Sequence, residues 1–315
     1  MAVDVARIST ADGFPLFGLG HGLDQTNTAI LYVHGLGGNG FTLFSDDLAG
    51  TLPAAGHPFV RGNLRTAELL RIDEFTNSSV VRKGGGAYHR FHDGVRDVAA
   101  WLDYLESHGH RRVVLFGHSL GSLTSTYYLG TTRDPRVVGL VLASTADLIA
   151  LHESRYPAEQ RDAFAAEAHR MVAEDRGDDL MPPECGMGLL RQPVSAASYL
   201  DRFGPDPAWD VMDLYDRGSE RAFTDLRRVL VPTLALFGTV NETVPADRIA
   251  HAFAVLREAA ALAPSFHTAV LDGANHFYTG HGQRLASIVL SWLREHIEPS
   301  RGEAVNRGFN NEEKA

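Results

Sequence analysis

The chain has 315 residues and a mass of 34.3 kDa, enough to bury a substantial core without disulfide or metal staples, so a small cross-linked scaffold is excluded. Its 29 Lys+Arg against 39 Asp+Glu leave a formal net charge of −10, which argues against electrostatic capture of nucleic acid or of an anionic membrane surface. Hydrophobic residues at 44% and charged residues at 22% are the balance of a folded globular chain, not of a disordered one.

In chain order, residues 3–8 and 14–19 read as an N-terminal hairpin, and short apolar runs bounded by glycine or polar residues follow at 29–33, 58–61, 112–116, 137–143, 233–237 and 268–271. Helix-like stretches separate them. The clearest are 94–108, with Val95, Val98, Trp101, Leu102 and Leu105 at helical spacing, and 283–297, with Leu285, Ile288, Val289, Trp292 and Leu293. Strands alternating with helices predict βαβ units and a mostly parallel sheet.

Residues 148–228 break this rhythm with Pro157, Pro182, Pro183, Pro193, Pro205 and Pro207. The segment holds Met171, Met181, Met187 and Met212 together with Tyr156, Phe164, Tyr199, Phe203, Trp209, Tyr215 and Phe223. Soft, aromatic-rich side chains between two sheet strands suit a lid over a site; the blander reading is a small helical subdomain with its own core. The expected organisation is a core of 1–147 and 229–299, a helical insertion at 148–228 and a polar, frayed tail at 300–315.

Cys185 is the single cysteine, which excludes an internal disulfide and a zinc site built on paired cysteines and fits a reducing compartment. The N-terminus lacks a basic region followed by an apolar core, and nowhere do 18 apolar residues run together. A cytoplasmic protein without a membrane span is the expectation. Lysine supplies only Lys83 and Lys314 of the 29 cations, a skew that points to a GC-rich genome and carries no chemistry.

Gly117-His118-Ser119-Leu120-Gly121 follows the 112–116 strand directly and precedes a helix-compatible stretch at 122–129. A strand turning sharply into a helix strains the serine backbone and brings neighbouring chains close, so glycine is needed on both flanks. Ser119 is the candidate nucleophile; the alternative is a serine that only caps the helix. His34-Gly35-Leu36-Gly37-Gly38-Asn39-Gly40 ends an earlier strand with a glycine-rich loop whose main-chain N–H groups can approach a developing negative charge. Gly35, Gly37 and Gly40 also satisfy GxGxxG, but no acidic residue in 50–63 is present to hold a ribose. The loop therefore reads as half of an oxyanion hole. Asp272-Gly273-Ala274-Asn275-His276-Phe277 follows the last strand and puts His276, the candidate general base, at the carboxyl end of the sheet; His281 is the alternative. His89 and His92 form an HxxH without a third ligand at recognisable spacing, so no metal is expected.

From residue 29 to 297 these motifs, in this order, resemble the α/β-hydrolase superfamily. The stretch from Arg61-Gly62-Asn63 through Gly84-Gly85-Gly86 to the elbow also resembles a group of serine esterases that includes fungal siderophore esterases. The resemblance implies an α/β-hydrolase fold with a mostly parallel central sheet flanked by helices and a helical lid. It further implies a Ser–His–acid triad whose oxyanion hole is formed by the main-chain N–H groups of Leu36 and Leu120, with no cofactor.

The acid departs from the family's pattern. Strand-G-x-x-D-x-x-V-P becomes Phe237-Gly238-Thr239-Val240-Asn241-Glu242-Thr243-Val244-Pro245, with asparagine where aspartate is usual. Three candidates stand: Glu242, one position later with an extra methylene; Asp147, just after the 137–143 strand; and Asn241 itself in a weakened triad. The expected reaction is hydrolysis of a small-molecule ester, thioester or lactone through an acyl-enzyme on Ser119. Two rivals use the same pocket: a biosynthetic thioesterase, cyclase or acyltransferase, and a ligand-binding receptor without turnover.

Overall fold

The computed structural model describes residues 2–68, 70–72, 81–186 and 192–298. Met187 and the tail at 300–315 lie outside the described residues. Along the chain run β1 (Val3–Ser9), β2 (Pro15–His21), β3 (Ala29–Val33), α1 (Leu43–Ala54), β4 (Phe59–Gly62), β5 (Leu70–Ile72), β6 (Val81–Lys83), α2 (Gly85–Tyr88) and α3 (Asp93–Ser107). There follow β7 (Val113–His118), α4 (Leu120–Thr132), β8 (Val137–Ala143), α5 (Leu148–Arg155), α6 (Ala158–Ala173) and α7 (Ala196–Phe203). The chain returns to the sheet with β9 (Thr233–Val240), α8 (Ile249–Ala259), β10 (Phe266–Asn275) and α9 (Gly282–Trp292).

Eight strands form one sheet in the order β1-β2-β4-β3-β7-β8-β9-β10, and β5 pairs with β6 separately. From β4 to β10 each neighbouring pair is parallel, whereas β2 runs antiparallel to both β1 and β4. This is the mostly parallel sheet expected from the alternation of strands and helices. The expected hairpin is β1 and β2; the last strand extends further at both ends than the run at 268–271.

Every residue of β3 and β7 is buried, as parallel strands covered on both faces require. Successive side chains point to opposite faces. Ala29, Leu31, Val33, Val113 and Leu115 join Trp101, Leu102 and Leu105 of α3 and Leu123 of α4 in one core. Ile30, Tyr32, Val114 and Phe116 meet Phe44, Leu48 and Leu52 of α1 and Leu285, Val289 and Trp292 of α9 in the other. Helix α3 stops where the periodic stretch ends, because Gly109 just beyond its C-cap takes φ +90°, a conformation glycine adopts without steric cost.

Residues 148–228 divide in their packing. Tyr156, Phe164, Met171, Met181, Cys185 and Tyr199 form a cluster of their own, against which Leu36 packs. Trp209, Met212, Leu214, Phe223 and Leu226 instead belong to the main core under α3 and α4. Arg217 fastens this second part, pairing with Asp147 at 3.1 Å, Asp210 at 2.5 Å and Asp213 at 3.8 Å. Among the described residues no helix is long and apolar enough to cross a membrane.

Parallel pairing puts the carboxyl ends of β3, β7, β8, β9 and β10 along one edge of the sheet, where an open α/β sheet offers a crevice. The loops singled out in the sequence leave from this edge.

Candidate active site

Ser119 sits between β7 and α4 with φ +55° and ψ −122°, a conformation that non-glycine residues adopt only when their surroundings enforce it. Those surroundings are tight. A side chain at Gly121 would put its Cβ 1.9 Å from the Val33 carbonyl oxygen, and one at Gly117 would put it 2.5 Å from the Gly121 oxygen. The Ser119 N–H donates to Ala143 O at 3.0 Å and the Ser122 hydroxyl donates to Gly117 O at 2.8 Å, pinning both sides of the turn. Although Ser119 occupies the N-cap position of α4, its side chain makes no capping hydrogen bond. The capping alternative therefore does not describe it, and Ser119 lines a cavity.

That cavity, of about 110 Å³, is lined by Ser119, His276, Leu36, Leu148, Leu151 and Gln192, among others. It brings together the serine of the elbow, the histidine of the last loop and the glycine-rich loop after β3. Gly35 allows the approach, since a Cβ there would lie 2.9 Å from the Ser119 Cβ. His34 braces the loop from behind: its Nε2 accepts from the Leu64 N–H at 2.9 Å, which leaves Nδ1 to donate to Gly35 O at 3.0 Å. Burial keeps His34 neutral by lowering its pKa to about 4. Leu120 opens α4, so its N–H belongs to a helix end whose first donors have no partner within the helix.

His276 is buried at 4% exposure. Its Nδ1 lies 3.3 Å from Asn241 Oδ1 and 3.2 Å from Thr243 Oγ1. The amide is oriented by its neighbours, because the Thr243 N–H at 2.9 Å and the Thr243 hydroxyl at 2.8 Å both donate to Asn241 Oδ1. An oxygen facing Nδ1 means that Nδ1 carries the proton and Nε2 the lone pair. Burial lowers the His276 pKa to about 4. The ring of His118 lies 5.0 Å away, and its Nε2–H donates to the His276 carbonyl oxygen at 2.8 Å; burial and the neighbouring His276 ring bring its own pKa to about 3.

Glu242 is exposed and its carboxylate accepts from the main-chain N–H of His276 at 3.1 Å. The extra methylene carries the charge to the backbone and not to the ring, contrary to the expectation that it would serve as the triad acid. Asp147 is fully buried, but its oxygens are taken by the N–H groups of Ala150 at 2.8 Å and Leu214 at 3.0 Å and by Arg217 Nε at 3.1 Å. It caps α5 and holds Leu214 and Arg217, and it is not among the residues lining the cavity.

His281 heads α9 beside Gly273 and is not among the side chains lining the cavity. His89 is buried with its ring 5.7 Å from that of Trp209, and His92 packs 5.4 Å from Tyr127. The methionines expected over the site, Met171 and Met181, lie in the cluster of their own segment; Leu148, Leu151 and Gln192 face the cavity in their place. The large apolar side chains of this first part of the segment pack on one another. Thr243 was not singled out in the sequence, although its place two residues after Asn241 lets its main-chain N–H close a short turn on that side chain.

Comparison with known proteins bears on the fold and the family. Among solved structures, ferulic-acid-bound Est1E from Butyrivibrio proteoclasticus superposes with a TM-score of 0.65 at 14% identity, covering 93% of this chain and 100% of that one. DcsB in complex with its substrate analogue gives 0.67 at 16% identity, over 95% and 100% of the two chains. A bromoperoxidase from Bacillus anthracis gives 0.55 at 17%, over 92% and 99%. At such identities the likeness is one of fold. Among curated proteins none matches the sequence. The sequence itself matches the profile described as Alpha/beta hydrolase family over residues 30–288, a span that runs from β3 into α9 and contains the elbow, the glycine-rich loop and the histidine loop; the chain belongs to the alpha/beta hydrolase family.

Proposed function

We propose that this protein is a serine hydrolase that cleaves a small-molecule ester, thioester or lactone through an acyl-enzyme on Ser119. The observation that carries this reading is the strained turn at Ser119, whose uncapped hydroxyl lines one cavity with a neutral, oriented His276. His276 Nε2 takes the hydroxyl proton as Ser119 Oγ bonds to the carbonyl carbon, and the carbonyl electron pair moves onto oxygen. The main-chain N–H groups of Leu36 and Leu120 hold that oxyanion, a role worth about 10² to 10³ in kcat per donor in acyl transfer. On collapse the C–O or C–S bond breaks, the leaving group takes the proton from His276, and water attacks the acyl-enzyme by the same route. Covalent labelling with a fluorophosphonate, mapped by mass spectrometry, should place the adduct on Ser119; an adduct elsewhere, or none, would refute the nucleophile.

In this reading Asn241 orients the base in place of a carboxylate. Asn241→Asp adds a buried negative charge about one hydrogen bond from the imidazolium that forms in the transition state, and should raise kcat at neutral pH by about tenfold or more. Glu242→Gln should cost less than about threefold, because an exposed carboxylate on a main-chain N–H is screened by solvent. Asp147→Asn should lower the melting temperature with kcat in the folded enzyme little changed. Rate and melting measurements on the three variants check this, and a collapse of kcat in Glu242→Gln would return the acid to that residue. The neutral partner of His276 also favours a second reading, a pocket that binds without turnover. Burst kinetics with an activated ester separate the two.

A further inference from the structure

Behind His276 a chain of hydrogen bonds runs into the sheet. Asn241 Nδ2 lies 3.1 Å from Ser144 Oγ, Ser144 Oγ 2.9 Å from Tyr278 Oη, and Tyr278 Oη 3.1 Å from the Leu236 carbonyl oxygen. Asn241 is 4% exposed, and Ser144 and Tyr278 are wholly buried, so the chain is shielded from bulk solvent. Ser144 and Tyr278 both hold left-handed backbone, with φ +46° and +50°, which disfavours either side chain unless its contacts require it.

The direction of each bond follows from the chemistry of its ends. A carbonyl oxygen only accepts, so the Tyr278 hydroxyl gives its one proton to Leu236 O. Ser144 must then donate to Tyr278 Oη, which leaves its lone pair to accept from Asn241 Nδ2. The opposite end of the amide is held by Thr243 and faces His276 Nδ1. The whole chain is neutral and polarised in one sense, from the imidazole towards Leu236 O.

We propose that Ser144 and Tyr278 are positioning residues matched to an amide at position 241: Tyr278 Oη accepts the hydrogen bond of the Ser144 hydroxyl, which turns a Ser144 lone pair towards Nδ2 and so holds Oδ1 against the base. The inference rests on the reading of His276 as that base. A carboxylate at 241 would not need the relay. It carries no proton on that side, so Ser144 could turn its hydroxyl and donate to it directly, and the Tyr278 hydroxyl would become dispensable.

The test compares kcat and KM for the wild type, Tyr278→Phe, Asn241→Asp and the double variant on one activated ester. With Asn241 present, Tyr278→Phe should cost about tenfold in kcat at nearly constant KM, the size of effect that losing one buried hydrogen bond produces. With Asp at 241 the same change should cost less than about twofold. Equal losses in both backgrounds would mean that Tyr278 only packs, and would overturn the proposal. A second measurement needs neither turnover nor the aspartate variant. In ¹⁵N-labelled protein the Asn241 side-chain amide proton bonded to Ser144 should be protected from solvent exchange, and Tyr278→Phe should lower that protection by about tenfold, because the freed Ser144 hydroxyl no longer holds its lone pair on Nδ2; unchanged protection would also overturn it. If turnover survives Ser119→Ala, the acyl-enzyme reading fails by itself, and the exchange measurement still decides the relay.

Discussion

Ser119→Ala should lower kcat by about 10⁶, the scale of loss seen when a triad nucleophile is removed, and should abolish fluorophosphonate labelling. The fold should survive. The turn is held by main-chain bonds from Ser119 N–H to Ala143 O and from Ser122 N–H to Ser119 O, neither of which uses the lost hydroxyl. Alanine inherits the same positive φ, so the strain is unchanged. Ser119→Gly relieves it and should stabilise the protein by about 1 kcal/mol, within the cost of about 1–3 kcal/mol ascribed to such backbone conformations. Thermal melting of the two variants beside their rates separates the chemical role from the conformational one. Retention of ester turnover in the alanine variant would refute Ser119 as nucleophile.

His276→Ala should cost about 10⁴ or more in kcat, whereas His281→Ala should cost little, since that side chain does not line the cavity. The pH profile gives a second handle. The base must be unprotonated, so the rate falls as pH drops through the His276 pKa. Burial lowers that pKa to about 4, which predicts activity persisting well below the ordinary histidine range near 6.5. The groups facing the ring do not counter this: Asn241 and Thr243 are neutral, His118 is neutral and buried, and the Glu242 carboxylate is exposed on the His276 backbone. Asn241→Asp places a negative charge beside the ring, favours the imidazolium and should move the acidic limb of kcat/KM to higher pH. An acidic limb that stays near 6.5 in the wild type and does not move in this variant would show that another group carries the proton.

The strands, the elbow, the glycine-rich loop and the histidine loop were legible in the sequence because each is written locally. A short apolar run bounded by glycine or polar residues marks a buried parallel strand, glycines on either side of Ser119 mark a turn too tight for a Cβ, and chain order places the loops at one edge of a parallel sheet. The packing of 148–228 was not legible. Its aromatic and methionine content suited a lid over a cavity, but the same side chains can fill a private core, and Met171 and Met181 lie in one. The partner of the imidazole was hidden for a related reason. Position in the chain brought Asn241, Glu242 and Asp147 to neighbouring loops, but a triad depends on which oxygen points at Nδ1, and that direction is set by bonds between distant segments. Thr243 turns the Asn241 amide, Ser144 after β8 and Tyr278 after β10 anchor its far end, and Arg217 draws Asp147 aside. Spacing along a sequence encodes the local path of the backbone; the orientation of a buried polar group depends on donors and acceptors that only folding brings together.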